Sequence, residues 1–230
     1  RPTTDYVAPL QAVQDQLRDA VLLQYHVARG HVWVFVVDRT GIRAYRELAL
    51  LKEVEDARRR LSAAVDRALG LAARHGLKVL RRYLPSLLAD SDAQLARLYD
   101  LLMQPLQALL PPGAPLVVSP DGPLHYVPFH ALYDGTAYLV ERCAVSYTPS
   151  ATLLALCRQR AVPGKGMLVV GHSGARLPQV TTEIEALTGL FSKAVVLSDG
   201  KATTGQLLSQ VTHSRLVHLA AHAHFRSDNP

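Results

Sequence analysis

The sequence is poor in the residues that mark several functional classes. Of its 230 residues only two are cysteine, Cys143 and Cys157. Two thiols at this separation give neither a disulfide framework nor metal-ligand spacing, and they suit a reducing, cytoplasmic setting. Cys143 lies in an apolar strand and Cys157 in an amphipathic helix, so both read as small buried hydrophobes rather than nucleophiles. Charged residues are scarce at 19%, against 49% hydrophobic. That balance argues for a buried core and against disorder. No apolar run reaches bilayer-spanning length, and no basic segment leads into an apolar one at the N-terminus. Neither a membrane partner nor a secretory leader is therefore expected. The net charge is +6, but the surplus is spread along the chain. Nucleic-acid binders concentrate such charge in a patch or stripe, so no nucleic-acid partner is expected. The one dense run, Arg58-Arg59-Arg60 followed by Arg67 and Arg74, has the spacing of a solvated helix face. Arg1-Pro2 and the polar Asp228-Asn229-Pro230 both read as cuts within a longer protein.

What is present falls into two styles. After a lead-in of some helical character to about Leu17, residues 20–27, 32–37 and 42–48 read as strands. The last two flank Asp38-Arg39-Thr40-Gly41, which is hairpin-turn chemistry, so a short antiparallel meander is expected. Apolar residues recur at helical spacing over Leu51–Leu77. A second helix is expected from about Asp92 to Leu110, ended by Pro111-Pro112-Gly113. From there short apolar strands alternate with helices. Strands are expected at 116–118, 143–147, 167–170, 194–197 and 216–220, with helices at 151–160, 182–191 and 204–211. The last strand, apolar on both faces, is expected to be central. The reading is α/β, a mostly parallel sheet flanked by helices, with an N-terminal antiparallel meander and helical pair. The expected division is residues 1–112 and 113–230.

Ligands in such sheets bind beyond the carboxyl ends of the strands. That rule gathers Gly171-His172-Ser173, Ser198-Asp199 and His222 into one neighbourhood. His218, His222 and His224 form the densest cluster of functional side chains, and even-numbered positions of a strand share a face. A metal site would need a further ligand, but Phe225-Arg226 follows, so no metal is expected and no cofactor either. His218 reads as a hydrogen-bonded core histidine. His222 stands where a buried strand meets a loop, a place that holds a general base rigidly yet open to substrate. Gly171-His172-Ser173-Gly174-Ala175 looks like the nucleophile elbow of α/β-hydrolases, and the order Ser173, Asp199, His222 matches their triad. An elbow passes directly into a helix, however, whereas Arg176-Leu177-Pro178 follows here.

Several short motifs carry a family resemblance. Ser119-Pro120-Asp121-Gly122, Leu124, Val127-Pro128-Phe129 and Ala131-Leu132 resemble one signature of the CHAT domain. Tyr138-Leu139 with Tyr147-Thr148-Pro149-Ser150-Ala151 resembles a second. Leu177-Pro178, Glu183 and Ala202-Thr203 follow in order. The block from Val217 to Phe225, with His218, His222 and His224, is similar to that family's histidine block. The resemblance implies a caspase-like cysteine endopeptidase acting on protein or peptide substrates. It implies that His222 is the base of a His/Cys dyad and that the backbone N–H of Ala223 serves the oxyanion hole. Ala223 stands where the family has glycine. The family's cysteine lies on a following strand, beyond residue 230. The partner the resemblance implies is the remaining part of the same protein, with that cysteine and upstream repeats. A non-catalytic scaffold of the same fold, and a serine hydrolase using Ser173, are the alternatives. Substrate-binding residues are unknown at this level.

Overall fold

The computed structural model describes residues 7–159, 165–172, 177, 179–191 and 193–221. The chain divides into two compact units, residues 1–159 and 160–230.

In the first unit, β1 (Val21–Ala28), β2 (His31–Val37) and β3 (Ile42–Leu50) form the expected antiparallel meander. The β2–β3 turn is closed by Asp38, whose Oδ1 accepts from the Thr40 hydroxyl and from the N–H groups of Thr40 and Gly41. Two later strands, β4 (Leu116–Ser119) and β5 (Val145–Tyr147), add parallel to β1, giving the order β3-β2-β1-β4-β5. Residues after position 113 thus share a sheet with the meander.

Side chains alternate across this sheet. Leu22 and Val117 face α1 (Leu10–Leu17) and α4 (Ala151–Gln159), meeting Val13, Leu17, Leu154 and Ala155. Val21, Leu23, Tyr25, Leu116 and Val118 face a larger core on the other side. That core is closed by α2 (Leu51–Leu102), a 3₁₀ segment at Gln104–Leu109, and the segment from Leu124 to Leu139 that leads into the short α3 (Leu139–Arg142). Tyr25 joins β1 to two of these parts. Its hydroxyl donates to the Leu102 carbonyl at 2.9 Å, and its ring lies 5.0 Å from that of Phe129.

The helical pair differs from expectation in its boundary. Helical structure does not restart at Asp92. It breaks only at Gly76, whose φ of 76° and ψ of 171° suit glycine alone. The second arm begins at once after Gly76 and runs through Pro85 to Leu102. Ser91 lies inside the helix, where its hydroxyl donates to the Leu87 carbonyl. Arg97 pairs with Glu53 at 2.8 Å and Arg67 with Asp90 at 3.2 Å. Both pairs are nearly symmetric about Gly76, so the two arms are antiparallel. Arg59 pairs with Asp56, and Arg58 stacks over the Tyr126 ring, so the arginine run is partly engaged rather than wholly solvated.

Two cysteine expectations are corrected. The strand expected from Cys143 begins at Val145, and Cys143 is the C-cap of α3, half-buried, with its thiol pKa raised by burial. Cys157 is exposed. Leu154 and Ala155 set the inward face of α4, and Cys157 stands about 200° on from Ala155 around the helix.

In the second unit, β6 (Met167–Gly171), β7 (Ala194–Ser198) and β8 (Leu216–Ala220) are all parallel, in the order β7-β6-β8. The connecting helices are α5 (Val180–Leu190) and α6 (Thr204–Val211), the latter capped by Thr203 Oγ1 accepting from Gln206 N–H. Among the described residues the middle strand is β6, which is nearly all buried, and β8 lies at the edge. Among the described residues β8 pairs on one side only, with Leu216, Val217 and Leu219 exposed. An apolar sequence alone does not distinguish a central strand from an uncovered edge. The chain as a whole is α/β, with parallel strands flanked by helices beside the antiparallel meander. Among the described residues no helix is long and apolar enough to cross a membrane.

Candidate active site

The three strands of the second unit end level with one another. Gly171 is in register with Ser198 on β7 and with Ala220 on β8. The N–H of His172 donates to the Ala220 carbonyl at 3.1 Å, continuing the pairing one residue past the strand. Asp199 turns the chain out of β7 with φ 46°, a left-handed conformation that Asp tolerates better than most residues. Its Oδ1 lies 3.8 Å from His172 Nδ1. Gly171, His172, Ser198 and Asp199 are thereby brought together as expected. His222, Ala223, His224 and Ser173 lie outside the described residues. Along the sequence His222 follows β8 by two positions.

A cavity of about 260 Å³ opens beside these strand ends, lined by Gly171, Val180, Ile184, Glu185, Ser198 and Asp199 among others. Its wall depends on Gly171. A Cβ there would stand 2.5 Å from Ile184 Cδ1 and 3.0 Å from Val180 Cγ1, so only glycine lets α5 approach the strand so closely.

His218 is half-buried rather than a core histidine. Its Nε2 lies 2.7 Å from Glu183 Oε1, in the first turn of α5. This pair ties β8 to α5. Both residues are conspicuous in the sequence, but nothing in it paired them, because 35 positions separate them. Among the described residues no cluster of three or more His, Cys, Asp or Glu could hold a metal ion. The first described helix after Ser173 is α5, from Val180, and the residues directly after Ser173 lie outside the described ones.

The motif residues of the first unit have structural work. Asp121 Oδ2 accepts from Val27 N–H and lies 2.9 Å from His26 Nδ1, which fastens the end of β4 to β1. Leu124, Val127, Phe129 and Leu132 are buried in the larger core. The Tyr138 hydroxyl donates to Asp92 at 2.7 Å, which holds the phenol pKa above its usual range. Tyr147 OH meets the N–H and ring of His130. Ser150 Oγ accepts from Leu153 N–H at the start of α4, and Ala151 N–H donates to Gln24 on β1. The signature thus combines buried core residues with clasps, of which those of Asp121 and Ala151 reach β1.

No curated protein matches the sequence. The family model described as CHAT domain matches residues 92–230, more than half of the chain and including the histidine block. The chain therefore belongs to the CHAT domain family, a caspase-like, protease-related domain.

Proposed function

We propose that this chain is the base-bearing part of a caspase-like cysteine endopeptidase. The reading rests on one observation. A member of a protease-related family carries His222 two positions after β8 in the sequence, and β8 ends level with the strands that line a cavity. His222 would take the proton of a cysteine thiol, and the thiolate would attack a peptide carbonyl. His222 would then hand that proton to the leaving amine. Next it would draw a proton from the water that hydrolyses the acyl-enzyme. The backbone N–H of Ala223 would stabilise the oxyanion. The cysteine would come from a further segment of the same protein, adding a strand at the open side of β8, where the exposed Leu216, Val217 and Leu219 offer an apolar surface.

The test is the longer protein with His222→Ala, incubated with a peptide library beside wild type. Loss of cleavage by about 10²-fold or more is expected, the scale of a lost general base. Equal cleavage by both proteins would remove His222 from the mechanism. A second reading, a non-catalytic scaffold, is favoured by one feature only, Ala223 in the place of the family's glycine. A thiol-directed acyloxymethyl ketone probe separates the two. It labels a working dyad in a His222-dependent manner and leaves a scaffold unlabelled.

A further inference from the structure

Beyond the proposed catalytic site, the distal half of the α2 hairpin carries apolar side chains that its own fold does not cover. Leu69 and Leu77 are 63% and 67% exposed, and Val65, Leu84 and Leu88 are also exposed. Their arrangement follows from helix geometry. Ala64 and Leu87 are buried and face the opposite arm. Val65 and Leu88 each stand one residue further on. A residue's rotation of about 100° has opposite sense in two antiparallel arms seen from one end, so it carries both side chains to the same side of the pair. Leu69 lies one turn from Val65, and Leu84 and Leu77 lie one and about three turns from Leu88. The five make a single stripe along that side. The ion pairs Glu53–Arg97 and Arg67–Asp90 line the other side.

The border of the stripe on the second arm is basic. Arg81 follows Leu77 by one turn, and Lys78 adjoins it in sequence. Among the described residues no carboxylate lies within ion-pair distance of Lys78, Arg81 or Arg82. On the second arm the stripe spans residues 77–88, about 17 Å at 1.5 Å per residue, or three turns of a helix. An apolar stripe of this length with apolar side chains a turn apart matches the ridge of one amphipathic helix. Its bordering cations match carboxylates on that helix.

We propose that this side of the hairpin is a docking surface for an acidic amphipathic helix of a partner protein. The chemistry of both components is required. The leucines supply the buried contact, and Lys78 and Arg81 select against basic helices.

The probe is a fluorescein-labelled helical peptide of about 20 residues, with leucine at every third or fourth position and glutamate between. Its control carries lysine for each glutamate. The whole 230-residue chain should bind the acidic peptide and not the basic one. Leu69→Ser with Leu88→Ser should weaken binding by about tenfold or more, and Lys78→Glu with Arg81→Glu should weaken the acidic peptide while admitting the basic one. Hydrogen exchange on wild-type protein should show protection by the acidic peptide confined to residues 65–88, a readout that needs no variant to fold. Equal binding of the two peptides, no binding, or protection elsewhere overturns the proposal. So does light scattering that shows a dimer lost in the leucine variant, which assigns the stripe to a second copy. Binding to phosphatidylserine vesicles without binding to the peptide also overturns it.

Discussion

The two units cover their apolar surface to different degrees. In the first, the inner strands of the sheet are covered on both faces, by α1 and α4 on one side and by α2 with the segment 124–139 on the other. In the second, β6 is buried, but its neighbours are not. Leu219 on β8 is 61% exposed and Leu208 on α6 is 63% exposed, and α6 buries no residue. The family signature divides the same way. Its motifs in the first unit are clasps and core residues, whereas the histidine block follows the open-sided strand of the second.

Core truncation should show the largest contrast. Phe129 is fully buried, and Phe129→Ala should cost about 3–5 kcal/mol through lost burial and a residual cavity. Leu219→Ala should change stability by no more than about 0.5 kcal/mol, as for exposed positions. Urea unfolding followed by hydrogen exchange of each unit reads both. A Leu219 variant as damaged as the Phe129 variant would mean that β8 is covered after all.

A smaller effect is expected inside the second unit. Gly171→Ala forces a methyl onto Ile184 and Val180, and overpacking of this kind costs about 1–3 kcal/mol. Faster exchange should appear in β6 and α5 while the first unit is unchanged. Faster exchange in the first unit would show that the two are energetically one body.

The smallest effect separates the units by pH. Hydrogen bonds from the Thr40 hydroxyl, then from backbone N–H groups, hold the Asp38 carboxyl below its ordinary value of 3.8. The Thr136 hydroxyl does the same for Asp134, helped by the Ala137 N–H and by Arg142. A carboxyl depressed in the folded state stabilises fully above its unfolded pKa, and that contribution disappears as the pH falls through the folded value. The first unit should therefore lose stability below about pH 4. Asp38→Asn with Asp134→Asn should flatten this loss. An unchanged acid profile in the double variant would remove both turns from the account.

Much of the fold was legible because its signals are local. Runs such as Val32–Val37 and Met167–Val170 declare strands by residue type. The strand–helix alternation after residue 113 declares a parallel arrangement. Asp38 to Gly41 spells its own turn, and the reading placed all three meander strands within two residues of their observed limits. The hairpin break at Gly76 was less visible. Gly76 lies within a helical pattern, and the Pro85-Ser86 and Asp90-Ser91 pairs downstream look like stronger interruptions. Packing of the arms against each other overrides them.

For the site, the sequence singled out Gly171, His172, Ser198, Asp199, Ser173 and His222 from the rule that strand ends carry function, and Ser173 lies outside the described residues. The structure brings the first four together, and His222 lies outside the described residues. The pairing of His218 with Glu183, the cavity beside Gly171, and the exposure of Cys157 were not accessible in this way.

What the sequence determined by itself was the type and order of the elements and the family they belong to, because side-chain periodicity and turn chemistry act over a few residues. The tertiary structure alone decided which strands meet. It set β4 against β1 across some ninety residues of intervening chain, folded α2 back upon itself, and placed β6 between β7 and β8. Those choices depend on which apolar faces can be buried together at once, and no short stretch of sequence contains that information.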